Sequence, residues 1–524
     1  MQKSLRNVYG VLSVSVLLFA LALFVAALIP HKTFADESVA VVPPQEETDL
    51  FTLKPFAADA KWARESVHSV RWVEKPGTHS ESTQGPYADA EVAMIAASYD
   101  GGKTWEELGS TSANDRRFLY TVPASGPAQV RLRVTIRSTV RETKDIPIIA
   151  SQKQNYTWKR ILENAPWGGR DGVGSLVYKN KMWVIGGWTP YSSLKSTAND
   201  VWSSTDGVRW TLVKPNTFGT PKFNPKKDWE GRHTAGYQVH DGKMWIVGGD
   251  PLTGYYQTDV WNSTDGKKWT RVDKHVTVPP TMLDENPDSP TFGTRIPWSG
   301  GVPAEKSQFG DRALHITGSF KGKLWVMGGQ IVEQFVDPNF PGSPAKVLND
   351  VWSSKDGATW TKVATKEPMW SPRGLIDRAV TFKNRMWVIG GGTYDDPGAG
   401  RPNRDFYNDV WSTADGVTWA ESEEAPFRPR EYHNVIVAHD RIWVIAGVVP
   451  GVGNSGDAWY TADGKNWYQS QLPDNFIGSH AASVWAFKGA LYYGLGNTFD
   501  FAKKDKDGRV LWRADIWKVT RTKK

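Results

Sequence analysis

The feature that most constrains this chain is a short apolar strand, ending in glycine, that recurs six times. The copies are "MWVIGG" from Met182, "MWIVGG" from Met244, "LWVMGG" from Leu324, "MWVIGG" from Met386, "IWVIAG" from Ile442 and "LYYGLG" from Leu491. A unit of this size cannot bury its apolar face alone, so neighbouring units must stack on one another. The repeat therefore predicts an all-β chain built from similar units around a common axis.

Each copy is followed by a loop and then by an aspartate two residues before a tryptophan. These aspartates are Asp200, Asp259, Asp350, Asp409, Asp457 and Asp515. Five copies continue through an Asp-Gly turn to a second tryptophan, but the sixth ends at Lys524 without one. The stretch "NYTWKRI", residues 155–161, matches the missing tail. We expect it to complete the last unit, which removes the open edges that a split ring would expose.

The diglycine strand and the spaced aromatics resemble the kelch repeat over about residues 155–520. The resemblance implies a six-bladed β-propeller of the kind in the central domain of galactose oxidase, with four antiparallel strands per blade around a channel. In kelch propellers the innermost strand precedes the diglycine strand, and its start lies on the face that carries the loop after the glycines. Galactose oxidase needs a Tyr–Cys crosslink, and its activity is excluded because the chain has no cysteine.

The segment before the repeats predicts export and a second β domain. Lys3 and Arg6 precede an apolar run, and residues 1–35 are either a cleaved signal peptide or a retained membrane anchor. Both alternatives place the rest outside the cytoplasm, as a secreted, periplasmic or cell-surface protein. Residues 36–56 are acidic and proline-bearing, which is typical of a linker. Residues 57–150 contain short β runs between Gly, Pro and Ser turns, which predicts an immunoglobulin- or fibronectin-like β-sandwich.

One turn within that sandwich has a known structural role. "SYDGGKTW", residues 98–105, resembles the Asp box of sialidases and of many exported β proteins. The resemblance implies a hairpin in which aspartate oxygens hold turn amides and the tryptophan packs beneath. We expect it to be structural.

Five arginines occupy one repeated position, three residues after an aromatic and at the predicted start of an innermost strand. They are Arg170, Arg232, Arg312, Arg373 and Arg430. Two interpretations remain open for them. Each arginine can pin its neighbouring blade by hydrogen-bonding carbonyls or acids, or several can converge with His233 and His480 on an anionic ligand through bidentate contacts.

Catalysis on an acidic sugar would also need an acid–base pair near the ligand. The candidates are His433 and Glu431 from "REYH", with His315 and Asp377 from neighbouring inner strands. On a regular strand, Glu431 and His433 would point to the same side because they are two residues apart.

The sequence therefore favours a binding protein for a neutral or acidic glycan, or for an extracellular protein. The alternative is an enzyme on acidic sugars, such as a mutarotase, a lyase or a sialidase-like hydrolase. We expect no metal and no cofactor, since the histidines lack metal-ligand spacing and no phosphate-binding loop occurs. The net charge of +7 is spread without a basic run, so no nucleic-acid partner is expected. Membrane association is expected only through an N-terminal anchor.

Overall fold

A computed structural model describes residues 50–74, 91–188, 197–252, 255–273, 281–283, 295–297, 308–310, 312–332, 345–374, 377–393, 405–494, 496–504 and 510–522. The predicted signal peptide or anchor and most of the predicted linker lie outside these ranges. Within them the chain is all-β, as predicted, and its one helical turn is the 3-10 turn Ala113–Asp115. No helix in the described ranges is long and apolar enough to cross a membrane.

Most of the strands described after residue 155 belong to six sets of four antiparallel strands, numbered here sheet 1 to sheet 6. Sheet 1 comprises Gly174–Tyr178, Lys181–Trp188, Thr197–Ser204 and Trp210–Lys214, and sheet 2 comprises Gly236–His240, Lys243–Leu252, Tyr255–Ser263 and Thr270–Asp273. Sheet 3 comprises Ile316–Phe320, Lys323–Met327, Val351–Ser354 and Thr361–Lys362, and sheet 4 comprises Val380–Phe382, Arg385–Gly392, Phe406–Thr413 and Trp419–Glu421. Sheet 5 comprises Asn434–Ala438, Arg441–Ile445, Ala458–Thr461 and Trp467–Gln469, and sheet 6 comprises Ser483–Phe487, Ala490–Gly494, Ile516–Arg521 and Tyr156–Leu162. In every sheet the repeated strand motif is the second strand.

Short strands outside these sets extend the connecting segments. Arg312–Ala313 pairs with Gln330–Val332, which also pairs with Ala345–Val347. The other pairs are Thr281–Leu283 with Arg295–Pro297, Val448–Val449 with Gly453–Asn454, and Phe499–Lys504 with Val510–Trp512.

The predicted pairing between the two ends of the repeat region is present. Tyr156–Leu162 runs antiparallel to Ile516–Arg521, with Trp158 opposite Val519. The Trp158 indole is buried, lies edge-on to Phe476 at 5.3 Å and donates to the Ser470 hydroxyl at 3.0 Å. The last sheet is thus completed by a strand from far earlier in the chain.

Neighbouring sheets contact one another through their first strands and their outer turns. The first strand of each sheet contacts the first strand of the next, and that of sheet 6 contacts that of sheet 1. The outer-turn glycine of one sheet also covers the second-strand tryptophan of the sheet before it. A Cβ on Gly266 would lie 2.3 Å from the Trp183 ring, and one on Gly464 would lie 2.3 Å from the Trp387 ring. These turn positions therefore require glycine, because a side chain would collide with the tryptophan of the preceding sheet.

The outer turns and the Asp-box turn use the same hydrogen bonds. In sheet 1, Ser204 Oγ accepts from the Gly207 amide at 2.8 Å, and the Trp210 indole donates to the Gly207 carbonyl at 3.1 Å. In the Asp box, Ser98 Oγ accepts from the Gly102 amide at 2.8 Å, and the Trp105 indole donates to the Gly102 carbonyl at 3.1 Å. Both turns have the structural role expected of an Asp box.

The N-terminal β region, residues 50–150, contains two groups of strands. One comprises Phe51–Leu53, Val67–Glu74 and Arg117–Thr121; the other comprises Trp62–Ala63, Ile146–Ile149, Gln129–Ile136, Val92–Ser98, Glu106–Ser112 and Thr139–Glu142. Buried side chains from both groups form one apolar cluster. Leu50 and Phe51 belong to this cluster, so the ordered β region begins inside the stretch assigned to a linker by its composition.

The N-terminal β region is joined to sheet 5 by backbone pairing and buried polar contacts. Val67 pairs with Trp467, and Asn466 Oδ1 accepts from the Ala63 amide at 2.6 Å. The Tyr460 hydroxyl also donates at 2.6 Å to the carbonyl of Gln154, in the segment that connects this region to the repeats. The described residues between 50 and 522 accordingly belong to one compact unit.

Removal of the closing strand should weaken the repeat region strongly. We expect a chain that begins at Leu162 to be less stable than one that begins at Tyr156 by at least about 3–5 kcal/mol, because a strand and a buried tryptophan are lost. Both chains lack the N-terminal β region, so urea unfolding compares the strand alone. Equal unfolding midpoints would contradict the role given to this strand.

Candidate ligand-binding site

The five repeated arginines are buried and bound to the repeated aspartates of their own sheets. In sheet 5, Arg430 Nη1 and Nη2 donate to the two Asp457 carboxylate oxygens at 2.6 and 2.8 Å. Nη1 also donates to the Ala446 carbonyl at 2.9 Å, and the Trp459 indole donates to Asp457 at 2.7 Å. The same ion pairs are Arg170–Asp200, Arg232–Asp259, Arg312–Asp350 and Arg373–Asp409.

This geometry favours the structural interpretation of the arginines, but each guanidinium binds groups of its own sheet and not of a neighbouring one. Each is at most 7% exposed, and each guanidinium also donates to the backbone carbonyl next to the repeated glycine. In sheet 6 the arginine position is occupied by Ser479, whose Oγ lies 2.6 Å from the Tyr493 hydroxyl. There Asp515 is bound instead by Arg160 of the closing strand and by Arg513.

A cavity of about 50 Å³, which we call the axial cavity after the axis predicted from the repeats, lies where the first strands begin, and all six sheets line it. Three of the four predicted catalytic residues, His315, Asp377 and His433, contribute to its wall; the other lining residues are Gly172, Val173, Thr234, Ala235, Tyr237, Leu314, Tyr432, Asn434, Ala481 and Ala482. The residues that directly precede the lining residues form bridges with residues that follow the repeated glycines, as Asp171 does with Trp188 and His480 with Asn497. The cavity therefore lies at the end of the sheets that carries those loops.

The two cavity histidines are uncharged at neutral pH. Burial, and then the positive charge of Arg312, lower the pKa of His315 to about 3. Burial, and then Arg430, lower the pKa of His433 to about 3 in the same way. His433 Nε2 lies 2.9 Å from the Ile389 carbonyl, which can only accept, so Nε2 carries the proton and Nδ1 is an acceptor. Neither ring has the pKa near 7 that suits a general acid or base.

Asp377 is held by an arginine that also contacts a sheet other than its immediate neighbours. Arg378 donates to the two Asp377 carboxylate oxygens at 2.8 and 3.0 Å. The same guanidinium donates to the Ser175 carbonyl at 3.0 Å and to its hydroxyl at 2.9 Å. Ser175 lies in the first strand of sheet 1, just beyond the cavity-lining residue Val173. Arg378 thus joins the start of sheet 4 to sheet 1 and compensates the charge of Asp377.

Glu431 does not line the cavity. The first strand of sheet 5 begins only at Asn434, and Tyr432 has a left-handed backbone with φ of 53°. Glu431 instead pairs with Val448 through an isolated bridge. The alternation expected for Glu431 and His433 on one strand therefore does not hold.

His233 and His480 meet at Asp171 in a rim cluster, which we define as Asp171, His233, Asp250, His480 and Asn497. Asp171 carboxylate oxygens lie 3.3 Å from His233 Nε2, 3.4 Å from His480 Nε2 and 3.1 Å from Asn497 Nδ2. His233 Nδ1 also lies 3.3 Å from Asp250. Histidine and aspartate side chains therefore alternate across sheets 6, 1 and 2.

The charges of the rim cluster stabilise one another. Burial alone would lower the pKa of His233, but Asp250 and Asp171 raise it well above its usual value. Burial alone would raise the pKa of Asp171, but His233 and His480 hold it well below its usual range. Both groups are therefore charged at neutral pH, and their charges offset each other.

Sequence reasoning missed Asp171, Tyr237, Arg378 and Asn434. The repeat pattern could have identified Asp171, because it directly follows the repeated arginine, as His233 and Glu431 do. Arg378 carries no such signal, since its partner Ser175 is distant in sequence. Within the described ranges, no three or more His, Asp or Glu side chains are arranged to hold a metal ion.

Loss of one Arg–Asp partner should unfold the protein more easily without a ligand being involved. We expect Arg430→Met to lower the free energy of unfolding by about 3–5 kcal/mol, because Asp457 is left buried and unpaired. Arg430→Met with Asp457→Leu should recover much of this loss, and Arg428→Met at an exposed position should change little. Urea unfolding measures all three, and an unchanged midpoint for Arg430→Met would contradict the structural role.

The histidines should give stability a pH dependence of two opposite signs. The pKa values of His315 and His433 are lowered, so the unfolded chain takes up protons first as pH falls below about 6.5. Stability should then drop by up to about 1.4 kcal/mol per pH unit for each ring. His433→Gln should flatten this slope, which urea unfolding between about pH 7 and pH 5 can detect.

His233→Gln should change the pH dependence of stability in the opposite direction to His433→Gln. The raised pKa of His233 contributes stability that is fully present below about pH 6.5 and is lost as pH rises through the raised value. The deficit of this variant should therefore be largest at acid pH. If the free energy of unfolding of His433→Gln falls more steeply with acid pH than that of the unsubstituted protein, the lowered pKa given to His433 is contradicted.

No protein-family model matches this sequence, and no curated protein is significantly similar to it. The six sets of four strands are therefore known from the strand pairing itself. The kelch resemblance of the repeated strands stays a prediction.

Proposed function

We propose that residues 155–520 form a six-bladed, kelch-type β-propeller preceded by a β-sandwich, in an exported protein that binds a neutral glycan at the loop-bearing end. The observation that carries the binding proposal is the axial cavity, to which all six sheets contribute lining residues. Ligand sites are commonly concave and contain a few convergent polar groups.

The contacts between sheets support the propeller. Each first strand contacts the next around the whole series, and the closing strand completes sheet 6 beside the last strand of the chain. The two groups of strands in the N-terminal β region share one apolar cluster, which supports the sandwich.

The compensation of charge supports a neutral ligand over an acidic one. The five arginines are bound to aspartates, Arg378 is bound to Asp377, and His233 lies between Asp171 and Asp250. An anion would therefore find no uncompensated arginine fork among these groups. A hydroxyl-rich ligand needs only neutral donors and acceptors, which the cavity lining supplies.

Binding is favoured over catalysis because the cavity histidines are neutral imidazoles near neutral pH. Their pKa values of about 3 leave them poor general bases and without an imidazolium proton to donate as general acids. His433→Ala should change affinity alone, and no product should form from any sugar acid.

Thermal shift of the full-length protein tests the ligand class. Neutral oligosaccharides should raise the melting temperature by similar amounts at low and high salt, because no ion pair with the ligand is involved. Stabilisation only by sialic acid, uronic acids or sulfated sugars, and its loss in high salt, would favour the acidic ligand instead. No stabilisation by any saccharide would contradict glycan binding.

A further inference from the structure

We propose that the end of the repeat region opposite the axial cavity is a basic face that docks on an anionic phospholipid surface. We define the basic face by the six two-residue turns that join the first and second strands of sheets 1 to 6. These turns are residues 179–180, 241–242, 321–322, 383–384, 439–440 and 488–489. The proposal is independent of glycan binding, since it concerns the other end of the sheets.

The six turns lie together at one end of the repeat region. Each first strand begins beside the axial cavity, runs away from it and contacts the first strands of the two adjacent sheets. The turn at its far end is therefore next to the equivalent turns of those sheets. All the turn residues are exposed except His439, which is partly buried.

Positive charge accumulates on the basic face although the sequence contains no basic run. The two residues of each turn and the residue after it include nine lysines or arginines and two aspartates, a net charge of +7. The cations are Lys179, Lys181, Lys243, Lys321, Lys323, Lys383, Arg385, Arg441 and Lys488. Each repeat supplies only one or two of them, and the packing of the sheets brings them to one surface.

The outer turns lie at the same end and do not cancel this charge. The five turns between third and fourth strands contain five lysines or arginines and five aspartates, so their net charge is zero. Their aspartates are also used within the turns, since Asp206 Oδ1 accepts from the Val208 and Arg209 amides at 2.9 and 2.8 Å. The excess of positive charge therefore remains on the basic face.

Four of the lysines occupy backbone positions that do not favour lysine. They are Lys179, Lys321, Lys383 and Lys488, the first residues of their turns, with φ between 46° and 48°. Two-residue hairpin turns of this left-handed kind favour asparagine, aspartate or glycine. The second residues of these four turns are asparagine or glycine, as expected. The backbone conformation therefore does not explain the lysines, whereas a requirement for positive charge does.

The charges of the seven lysines on the basic face are uncompensated within the described ranges. The lysine ion pairs found there involve Lys54, Lys153, Lys214 and Lys465, none of which belongs to the basic face. Lys179 and Lys488 each donate to a backbone carbonyl of an outer turn, at 2.9 and 3.1 Å. A carbonyl orients an ammonium group but does not neutralise it.

An anionic bilayer fits this arrangement better than a polyanionic chain does. The cations are spread over six turns around the series of sheets rather than along one groove. Most are lysines, which act as point charges, whereas specific recognition of single phosphates commonly uses the arginine fork. Each cation near an anionic bilayer strengthens binding by about fivefold. The predicted signal peptide or anchor also brings the chain to a membrane.

Docking through the basic face leaves the candidate binding site accessible. The axial cavity and the loops after the repeated glycines lie at the opposite end of the sheets. They therefore point away from the lipid surface, toward a ligand in solution.

Sedimentation with lipid vesicles tests the basic face. The chain that begins at Asp49 is used, because the predicted apolar segment before it would itself enter a bilayer and the described residues after it belong to one compact unit. It should sediment at low salt with phosphatidylcholine vesicles that contain about one quarter phosphatidylglycerol. Salt at about 0.5 M should release it, since the charges are then screened. It should not sediment with phosphatidylcholine alone.

Lys321→Asn combined with Lys383→Asn removes two charges from adjacent turns. Each lysine lies over the preceding phenylalanine ring, at 5.7 and 5.3 Å, and donates no hydrogen bond to a described residue. Asparagine suits the left-handed backbone, so the melting temperature should not fall. The affinity for the anionic vesicles should fall by at least about tenfold.

Lys226→Asn combined with Lys227→Asn is the matched control. These two lysines are exposed and lie in the segment between sheets 1 and 2 that leads to the cavity end. The same change of charge there should alter the vesicle affinity by less than about twofold. An equal loss in both double variants would show that total charge governs binding, and would overturn the proposal.

Two further outcomes would also overturn the proposal. One is equal sedimentation with neutral and anionic vesicles, which would exclude an electrostatic contact with the lipid. The other is binding to heparin or duplex DNA without binding to anionic vesicles, which would assign the basic face to a polyanionic chain.

Discussion

The buried Arg–Asp pair, repeated in five sheets, is the interaction on which the rest of the repeat region depends. A guanidinium is costly to bury alone, and here the carboxylate and a backbone carbonyl both bind it. The pair joins the segment before the first strand to the third strand of the same sheet. The Arg carbonyl then accepts from the second glycine of the preceding sheet, as in Gly391 to Arg430 at 3.1 Å. One repeated residue thus links strands within a sheet and sheets to each other.

Close packing within a sheet explains the invariance of the second glycine. Gly447 has φ of 101°, and a Cβ on it would lie 2.7 Å from the Cβ of His433. A side chain there would collide with the segment that precedes the first strand of the same sheet, at the wall of the axial cavity. The first glycine is less restricted, and Ala446 replaces it in sheet 5 with φ of 54°. Packing within the sheet therefore limits the second position more strictly than backbone conformation limits the first.

Because the arginines are used in the architecture, the axial end is left with compensated charges and neutral polar groups. The N-terminal β region contacts the outer strand of sheet 5 through Val67 and Trp467, away from the first strands that line the cavity. It therefore strengthens the unit without occupying the candidate site. The loops after the diglycine strands begin at the same end as the cavity, where sequence can vary with little effect on the sheets.

The sequence by itself determined the all-β class, the number of repeated strands and the pairing of Tyr156–Leu162 with the last strand. Each of these follows from the repeated sequence pattern. The absence of the last strand from the sixth repeat indicated the pairing as clearly as its presence in the other five indicated theirs. It also located His315, Asp377 and His433, which the structure brings to one cavity. Only the tertiary structure decided whether the arginines are paired, because the register gives their position but not the partner of each guanidinium. It likewise decided the Arg378–Ser175 contact and the burial that keeps His315 and His433 neutral, since these depend on residues far apart in the chain.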